Sequence, residues 1–350
     1  MYRGIPESRG VWDAKIADFA SRPPWTFSPH GDAVRTGEEP LVLSEFGSWG
    51  LPHALDQYDA DDAEPWWFAL GEDWAFGAAE GTGLLRRMRS LGLEDVFGSW
   101  DELVRQLHHA QLVANRYQTT SIRLHDDIRG YVLTQLRDVQ WEANGLFDMD
   151  RTPKTYTAEY GLANGEHAVA LRPDAYSVFA GESLALTVTS LPSPQGLPGG
   201  TVLRVLVDGD AVHESSLGAM REEWTLRIAL PDRHGQHLVQ AELHAGDEIL
   251  ARDSADVLVI DRTEWDGGAV RAGDAAVAAW LTALGVPVSD EADLLVVRVL
   301  TPAAQQHARS GGRVLLLAEE HDALGDAFDY LPSARLTSRA GDGDWVPRTE

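Results

Sequence analysis

No cysteine occurs in the 350 residues of this chain. Disulfides, thiolate zinc sites and a cysteine nucleophile are excluded, whatever the redox compartment. Lysine is nearly absent too, with Lys15 and Lys154 as the two in the sequence. Basic residues number 29 against 55 acidic ones, giving a formal net charge of -26. A field of that sign repels phosphate backbones and anionic headgroups, so neither nucleic acid nor a membrane is expected as a partner. No apolar run reaches the roughly 18 residues of a spanning helix. Met1 to Pro6 has no apolar core of the kind a signal peptide needs, so a cytoplasmic location is expected. The turn-like Gly4-Ile5-Pro6 opening predicts that something belongs in front of it. G-x-S-x-G, H-E-x-x-H, a P-loop, an EF-hand loop and G-x-G-x-x-G are all missing. No metal, dinucleotide or other cofactor is implied.

Hydrophobic residues make up 44% of the chain, enough for real cores in two or three domains. The most informative stretch is Pro40-Leu41-Val42-Leu43-Ser44-Glu45-Phe46-Gly47. A short unbroken apolar run between Pro and Gly suits a parallel strand buried on both faces. Glu45 then sits at the strand's carboxyl end, where parallel barrels do their chemistry. It is either a reactive carboxylate or a hydrogen-bonded structural one.

Before this strand, Val11, Trp12, Ile16 and Phe19 predict a helix over 8–20, stopped by Pro23-Pro24. After it, residues 48–83 form a long acidic segment carrying Trp49, Trp66, Trp67 and Trp74. Such indoles either stack on sugar rings or pin the loop down. Leu84 to Leu93 reads as a short helix. Ser99 and Glu102 form a capping box for a helix running to about Leu124, with Leu103, Leu107, Ala110, Ala114 and Tyr117 on one face. His108 and His109 on it point about 100° apart, cannot clamp one metal, and read as surface or boundary residues. A second barrel-type strand spans 128–136, followed by a loop to Asp150 and a helix over 155–162.

From Gly165 the pattern changes to short β-rich segments: 168–171, 183–189, 201–207, 223–229, 237–243 and 249–260. That spacing predicts an antiparallel sandwich of immunoglobulin type. After a linker over 262–268, helix and strand alternate: helix 274–284, strand 293–300, a helix opened by Thr301-Pro302, and strand 313–318. This is part of an open α/β sheet, and the tail ends at Trp345-Val346-Pro347 with no closing element expected.

A carboxylate at a strand end, tryptophans nearby and a negative field suit a glycosidase, whose transition state puts positive charge on the sugar. A retaining enzyme needs a nucleophile and an acid/base carboxyl roughly 5–5.5 Å apart. The residues supply one convincing strand-end carboxylate. The 40–47 stretch resembles the nucleophile strand of glycoside hydrolase family 2, the β-galactosidase and β-mannosidase family. Gly130 to Leu136 with Asp138 and Glu142-Ala143-Asn144-Gly145-Leu146 resembles that family's strand eight and its loop. Arg151-Thr152-Pro153-Lys154 resembles the R-x-P-K that ends its barrel.

The resemblance covers about residues 1–162. It implies a partial (β/α)8 TIM barrel, strands six to eight, over 1–164. The immunoglobulin-like sandwich over 165–262 and an incomplete α/β domain over 263–350 would follow as accessory domains. It implies Glu45 as the catalytic nucleophile. Tyr2 would orient it at the end of strand six, Trp49 and Trp141 would line the sugar site, and Asn144 would bind a hydroxyl. The family's Asn-Glu acid/base pair has no counterpart, because no Asn-Glu dipeptide occurs. The resemblance thus implies a carbohydrate substrate, a fragment of the enzyme, and a separate N-terminal half as a partner. Glu142-Ala143-Asn144 replaces the Asn-x-Lys with which glucuronidases of the family hold a uronate, which disfavours glucuronidase. The competing expectation is a non-catalytic carbohydrate-binding or structural fragment.

Overall fold

The computed structural model describes residues 9–27, 34–48, 50–53, 84–139, 143–261, 265, 267–317, 335–338 and 345–348. The chain divides into two compact units, Met1–Asp261 and Arg262–Glu350.

The first unit opens with α1 (Arg9–Ala20), which buries Trp12, Ile16 and Phe19. Val11, expected on the same face, is 48% exposed. β1 (Leu41–Phe46) follows, then α2 (Leu84–Ser90), α3 (Leu93–Phe97) and the 24-residue α4 (Trp100–Arg123). The Ser99 hydroxyl caps α4 by accepting from Glu102 N at 3.2 Å. The other half of the expected box is replaced: the Glu102 carboxylate accepts from Arg105 and Gln106. Ala110 also departs from the expected face, since it is exposed. β2 (Ile128–Leu133) pairs parallel with β1. Trp12, Ile16 and Phe19 of α1 and Ala114, Tyr117 and Ile122 of α4 pack on Leu41, Leu43 and Phe46.

Residues 114–122 of α4 are buried all round, polar ones included. The reason is that α4 packs on β1 and β2 on one side and on the sandwich on the other. There the Arg116 guanidinium meets Asp253 at 2.9 Å.

After α5 (Thr157–Ala163), the chain forms β3 (Ala168–Pro173), β4 (Ser177–Phe179), β5 (Ser183–Leu191), β6 (Thr201–Val207), β7 (Asp210–Ser216), β8 (Glu223–Ala229), β9 (Gly235–Ala245) and β10 (Glu248–Ile260). They make two facing sheets, β3-β5-β8 and β4-β10-β9-β6-β7, antiparallel except for the β4–β10 pair. Alternate residues from both sheets form the core, including Leu184, Leu186, Leu203, Val205, Ala241 and Leu243. Burying each large side chain is worth about 1.5–3 kcal/mol. Two strands escape the sequence reading. β4 is three residues long, and β7 (Asp-Ala-Val-His-Glu-Ser-Ser) is a mostly exposed edge strand. The β6–β7 turn is Asp208-Gly209, with φ of 51° and 93°. That is the left-handed pair a two-residue hairpin needs.

The second unit contains β11 (Arg271–Ala272), α6 (Ala275–Ala283), β12 (Leu294–Val297), α7 (Pro302–Arg309) and β13 (Arg313–Leu316). The three strands are parallel in the order β11-β12-β13. Thr301 caps α7 with proline at the first position, and Asp274 caps α6. Where no closing element was expected, β14 (Arg335–Ser338) pairs antiparallel with β15 (Trp345–Arg348). The architecture is thus mixed α/β with an all-β sandwich. Among the described residues the α/β part of the first unit has two parallel strands, and a closed TIM barrel is not seen.

Candidate functional site

Strict alternation would put Leu41, Leu43 and Glu45 on one face of β1. The observed pattern is different. Leu41, Leu43 and Phe46 are buried, while Val42, Ser44 and Glu45 are exposed. The register against β2 shifts between Leu43 and Phe46. A bulge at Ser44-Glu45 therefore reverses the phase, as bulges next to active sites do when they re-aim a side chain. Glu45 leaves the helix-packed face and joins Val42, Gly130 and Val132 on the other. Val42 and Val132 there are 46% and 51% exposed, so the expectation of a strand buried on both faces does not hold. Phe46 locks the new phase. It is fully buried, 6.2 Å from the Trp12 ring and edge-on to Tyr131 at 5.8 Å. Thr134 N donates to Phe46 O at 2.8 Å, holding the carboxyl ends of β1 and β2 together.

Two side chains one turn apart on α4 hold the segment after Glu45. Gln111 Nε2 donates to Ser48 O at 3.2 Å and to Asn144 O at 2.8 Å, joining the loops that follow β1 and β2. His108 is fully buried, contrary to the surface or boundary position expected of it, whereas His109 is exposed. Its Nε2 lies 3.0 Å from Leu51 O and its Nδ1 3.1 Å from Thr155 Oγ1. A carbonyl only accepts, so Nε2 carries the proton and Nδ1 accepts from the hydroxyl. The missed signal was the i, i+3 pairing of His108 with Gln111 on one helix face.

Burial pushes the His108 imidazole down to about 4. The folded state then binds fewer protons than the unfolded chain between that value and the ordinary 6.5 or so, and stability rises with pH across the interval. We expect His108 to pull the denaturation midpoint down as the pH drops from 6.5 towards 4, against the raised Asp138 carboxyl, which pulls it up. In His108→Gln that decline should flatten. An unchanged profile in the variant would assign the decline to other groups.

The β2 loop is fixed from beneath. Lys154 Nζ lies 2.9 Å from Asp138 Oδ1 and donates to Ala143 O at 2.8 Å, with both charged side chains completely buried. Gly145 N also donates to Asp138 Oδ1, at 2.8 Å. A Cβ on Gly145 would collide with the Arg137 and Asp138 backbone. Burial raises the Asp138 carboxyl and lowers the Lys154 ammonium, and each charge opposes the shift of the other. The R-x-P-K lysine is thus a structural anchor.

Asn144 is fully buried, and its Oδ1 accepts from Gln135 Nε2 at 3.0 Å. Its Nδ2, Gln111 Oε1 and Asp138 Oδ2 are buried without a hydrogen-bond partner. Of the expected site residues, Glu45 and Asn144 are described, and Gln111 links their loops. Tyr2, Trp49 and Trp141 lie outside the described residues. No group of three or more metal-ligating side chains occurs among the described residues.

No protein-family model and no curated protein matches the chain. Among solved structures it is similar to the CARDB domain of a Pyrococcus furiosus protein, at 16% identity and a TM-score of 0.23, covering 27% of this chain and 87% of that one. It is similar to a Bacteroides uniformis β-glucuronidase at 12% identity and a TM-score of 0.26, covering 78% of this chain and 26% of that one. Fibronectin(III)-like modules of Clostridium thermocellum match at 22% identity and a TM-score of 0.19, over 27% and 97%. The chain spans about a quarter of the length of that β-glucuronidase. The described elements by themselves define the class, a mixed α/β protein with an all-β sandwich. At these TM-scores the likeness carries no argument about chemistry.

Proposed function

We propose that this chain is the carboxyl-terminal part of a retaining β-glycosidase, with Glu45 as the nucleophile that forms a glycosyl ester. The observation that carries the reading is the bulge that turns Glu45 away from the helix-packed core at the carboxyl end of a parallel strand. The order of the three family 2-like motifs supports the same reading. Glu45 would attack the anomeric carbon as the leaving group departs, and water would later hydrolyse the ester. Tyr2, Trp49 and Trp141 would form the sugar site, while Asn144, fully buried and bonded to Gln135 and Gln111, would hold the loop beneath it rather than bind a hydroxyl itself. The second carboxyl that protonates the leaving oxygen would come from a separate N-terminal half.

Without that acid, ordinary aryl β-glycosides should turn over little or not at all. A 2-deoxy-2-fluoro glycoside with a dinitrophenolate leaving group needs no protonation to react. Its hydrolysis is slow enough to trap the ester. We expect such a reagent, in the galactose or mannose series, to add one glycosyl mass to the Glu45 peptide. Glu45→Gln should remain unlabelled. Labelling elsewhere, or none with either sugar, would remove the nucleophile assignment. Sugar binding that Glu45→Gln leaves unchanged would instead favour a non-catalytic carbohydrate-binding role.

A further inference from the structure

In the second unit the connections after β11 and β12 leave on opposite faces of the sheet. α6 sets Val277 and Leu281 against Val270 and Val296. α7 sets Ala304 against Leu295 and Val297. Successive residues of a strand face opposite ways, so the two helices cover opposite faces. The connections also run in opposite directions across the sheet. Val270 N donates to Pro287 O, and Ser289 N to Val270 O, whereas Gly273 N donates to Val296 O. Odd and even residues of a strand aim their backbone groups to opposite sides. The 287–289 segment therefore lies on the far side of β11 from β12, while the chain after α7 returns on the far side of β12 as β13.

β11 and β12 thus flank a point where the strand order reverses. Open parallel sheets bind ligands in the crevice outside the carboxyl ends of their strands at such a point. A cleft of about 870 Å³ opens there between Gly273 and Asp274 after β11 and Arg298 and Thr301 after β12, and runs back along the α7 side of the sheet past Arg271 and Leu295 to His307 and Ser310. A Cβ on Gly273 would come within 2.7 Å of Val297 Cγ1, so this close approach needs glycine.

The charges on the wall select the ligand. Arg298 Nε and Nη2 lie 3.3 and 3.1 Å from Asp274 Oδ2. Arg271 also lines the cleft and has no partner among the described residues. Two guanidiniums and one carboxylate leave one positive charge, in a chain of net charge -26. Leu295, Val297, Val299 and Ala304 supply apolar surface. A guanidinium fork matches a carboxylate with two parallel hydrogen bonds. We propose that this crevice binds a small apolar monocarboxylate, its carboxylate paired with Arg271. The inference is independent of the role of Glu45.

Titration calorimetry of the full chain tests it, with hexanoate as the probe and hexanamide and inorganic phosphate as comparisons. Hexanoate should bind saturably, hexanamide should not, and phosphate should be the weaker anion. Arg271→Gln should weaken hexanoate by about tenfold or more, the value of a charge-assisted pair. Asp274→Asn keeps a good helix cap, frees Arg298 and removes a repelling charge, so it should tighten hexanoate several-fold. The proposal is overturned by no saturable hexanoate binding at concentrations on the order of 10 mM. Unchanged affinity in Arg271→Gln, looser binding in Asp274→Asn, or tighter binding of phosphate than of hexanoate would overturn it equally.

Discussion

Asp253→Ala is expected to destabilise the first unit by about 3–5 kcal/mol, the usual cost of breaking a buried charge pair. Asp253 on β10 is the shared anion of two arginines. Its Oδ1 lies 2.9 Å from Arg116 Nε on α4, and its Oδ2 lies 3.3 Å from Arg172 Nη1 on β3. Leu171 N and Ser254 N donate to the same carboxylate, at 2.9 and 2.8 Å. The Arg116 and Asp253 side chains are 4% and 3% exposed, so removing the anion strands a cation that water cannot reach. The network extends further. Arg172 Nη2 donates to Thr120 and Ser121, its guanidinium lies 4.1 Å from the Tyr117 ring, and the Ser121 and Tyr117 hydroxyls donate to Asp13 on α1. The carboxylate therefore ties β3 and β10 to α4, and through α4 to α1. Urea denaturation should show one transition for the first unit of the natural chain. In Asp253→Ala it should split, with the α-helical part melting first. Asp253→Asn keeps an acceptor for one of the two backbone amides and should lose somewhat less. A loss under about 1 kcal/mol with an unsplit transition would place Asp253 among ordinary surface ion pairs.

Lys154→Met is expected to cost a similar amount at pH 7 and markedly less at pH 5. Here the stranded group is Asp138, whose side chain is completely buried. Burial already raises this carboxyl, and removing the ammonium at 2.9 Å raises it further. A carboxyl raised in the folded state above its unfolded value binds protons preferentially there. The variant's stability should therefore grow as the pH falls, against the trend that His108 imposes on the natural chain. Adding Asp138→Asn should recover much of the loss at pH 7. The Lys154→Met variant is also a probe of the site. Without the ammonium, Ala143 O loses its donor and the Asn144 loop its anchor. Equal stability of natural chain and variant at pH 7 would contradict this account.

Several elements could be read directly from local chemistry. Ser99 and Thr301 announced helix starts because a cap is a contact between residues three apart. The sandwich strands were visible because alternation in Leu184-Leu186-Val188 and Leu203-Val205-Val207 records one buried face. β7 was invisible by the same test, since an edge strand with polar residues has no buried face to record. The Asp208-Gly209 turn was nonetheless present as a signal.

The polar interior shows where such reading stops. Gln111, Asn115, Arg116 and Gln118 look like the solvated side of a helix, yet all are buried. Amphipathic periodicity assumes one covered face, and α4 has partners on two. His108 was misplaced for that reason.

The amino-acid sequence by itself determined the local pieces: the strand ending in Glu45, two helix caps, the β-rich middle, and a strongly acidic balance. Those features depend on neighbours a few residues apart. Only the tertiary structure decided which way Glu45 points, because a one-residue bulge inverts the face of everything after it and is set by pairing with β2. It alone also joined Asp253 to two arginines 81 and 137 positions away, and turned β11 and β12 into the walls of a cleft. Contacts between distant segments follow from packing, and packing leaves no periodic trace in either segment.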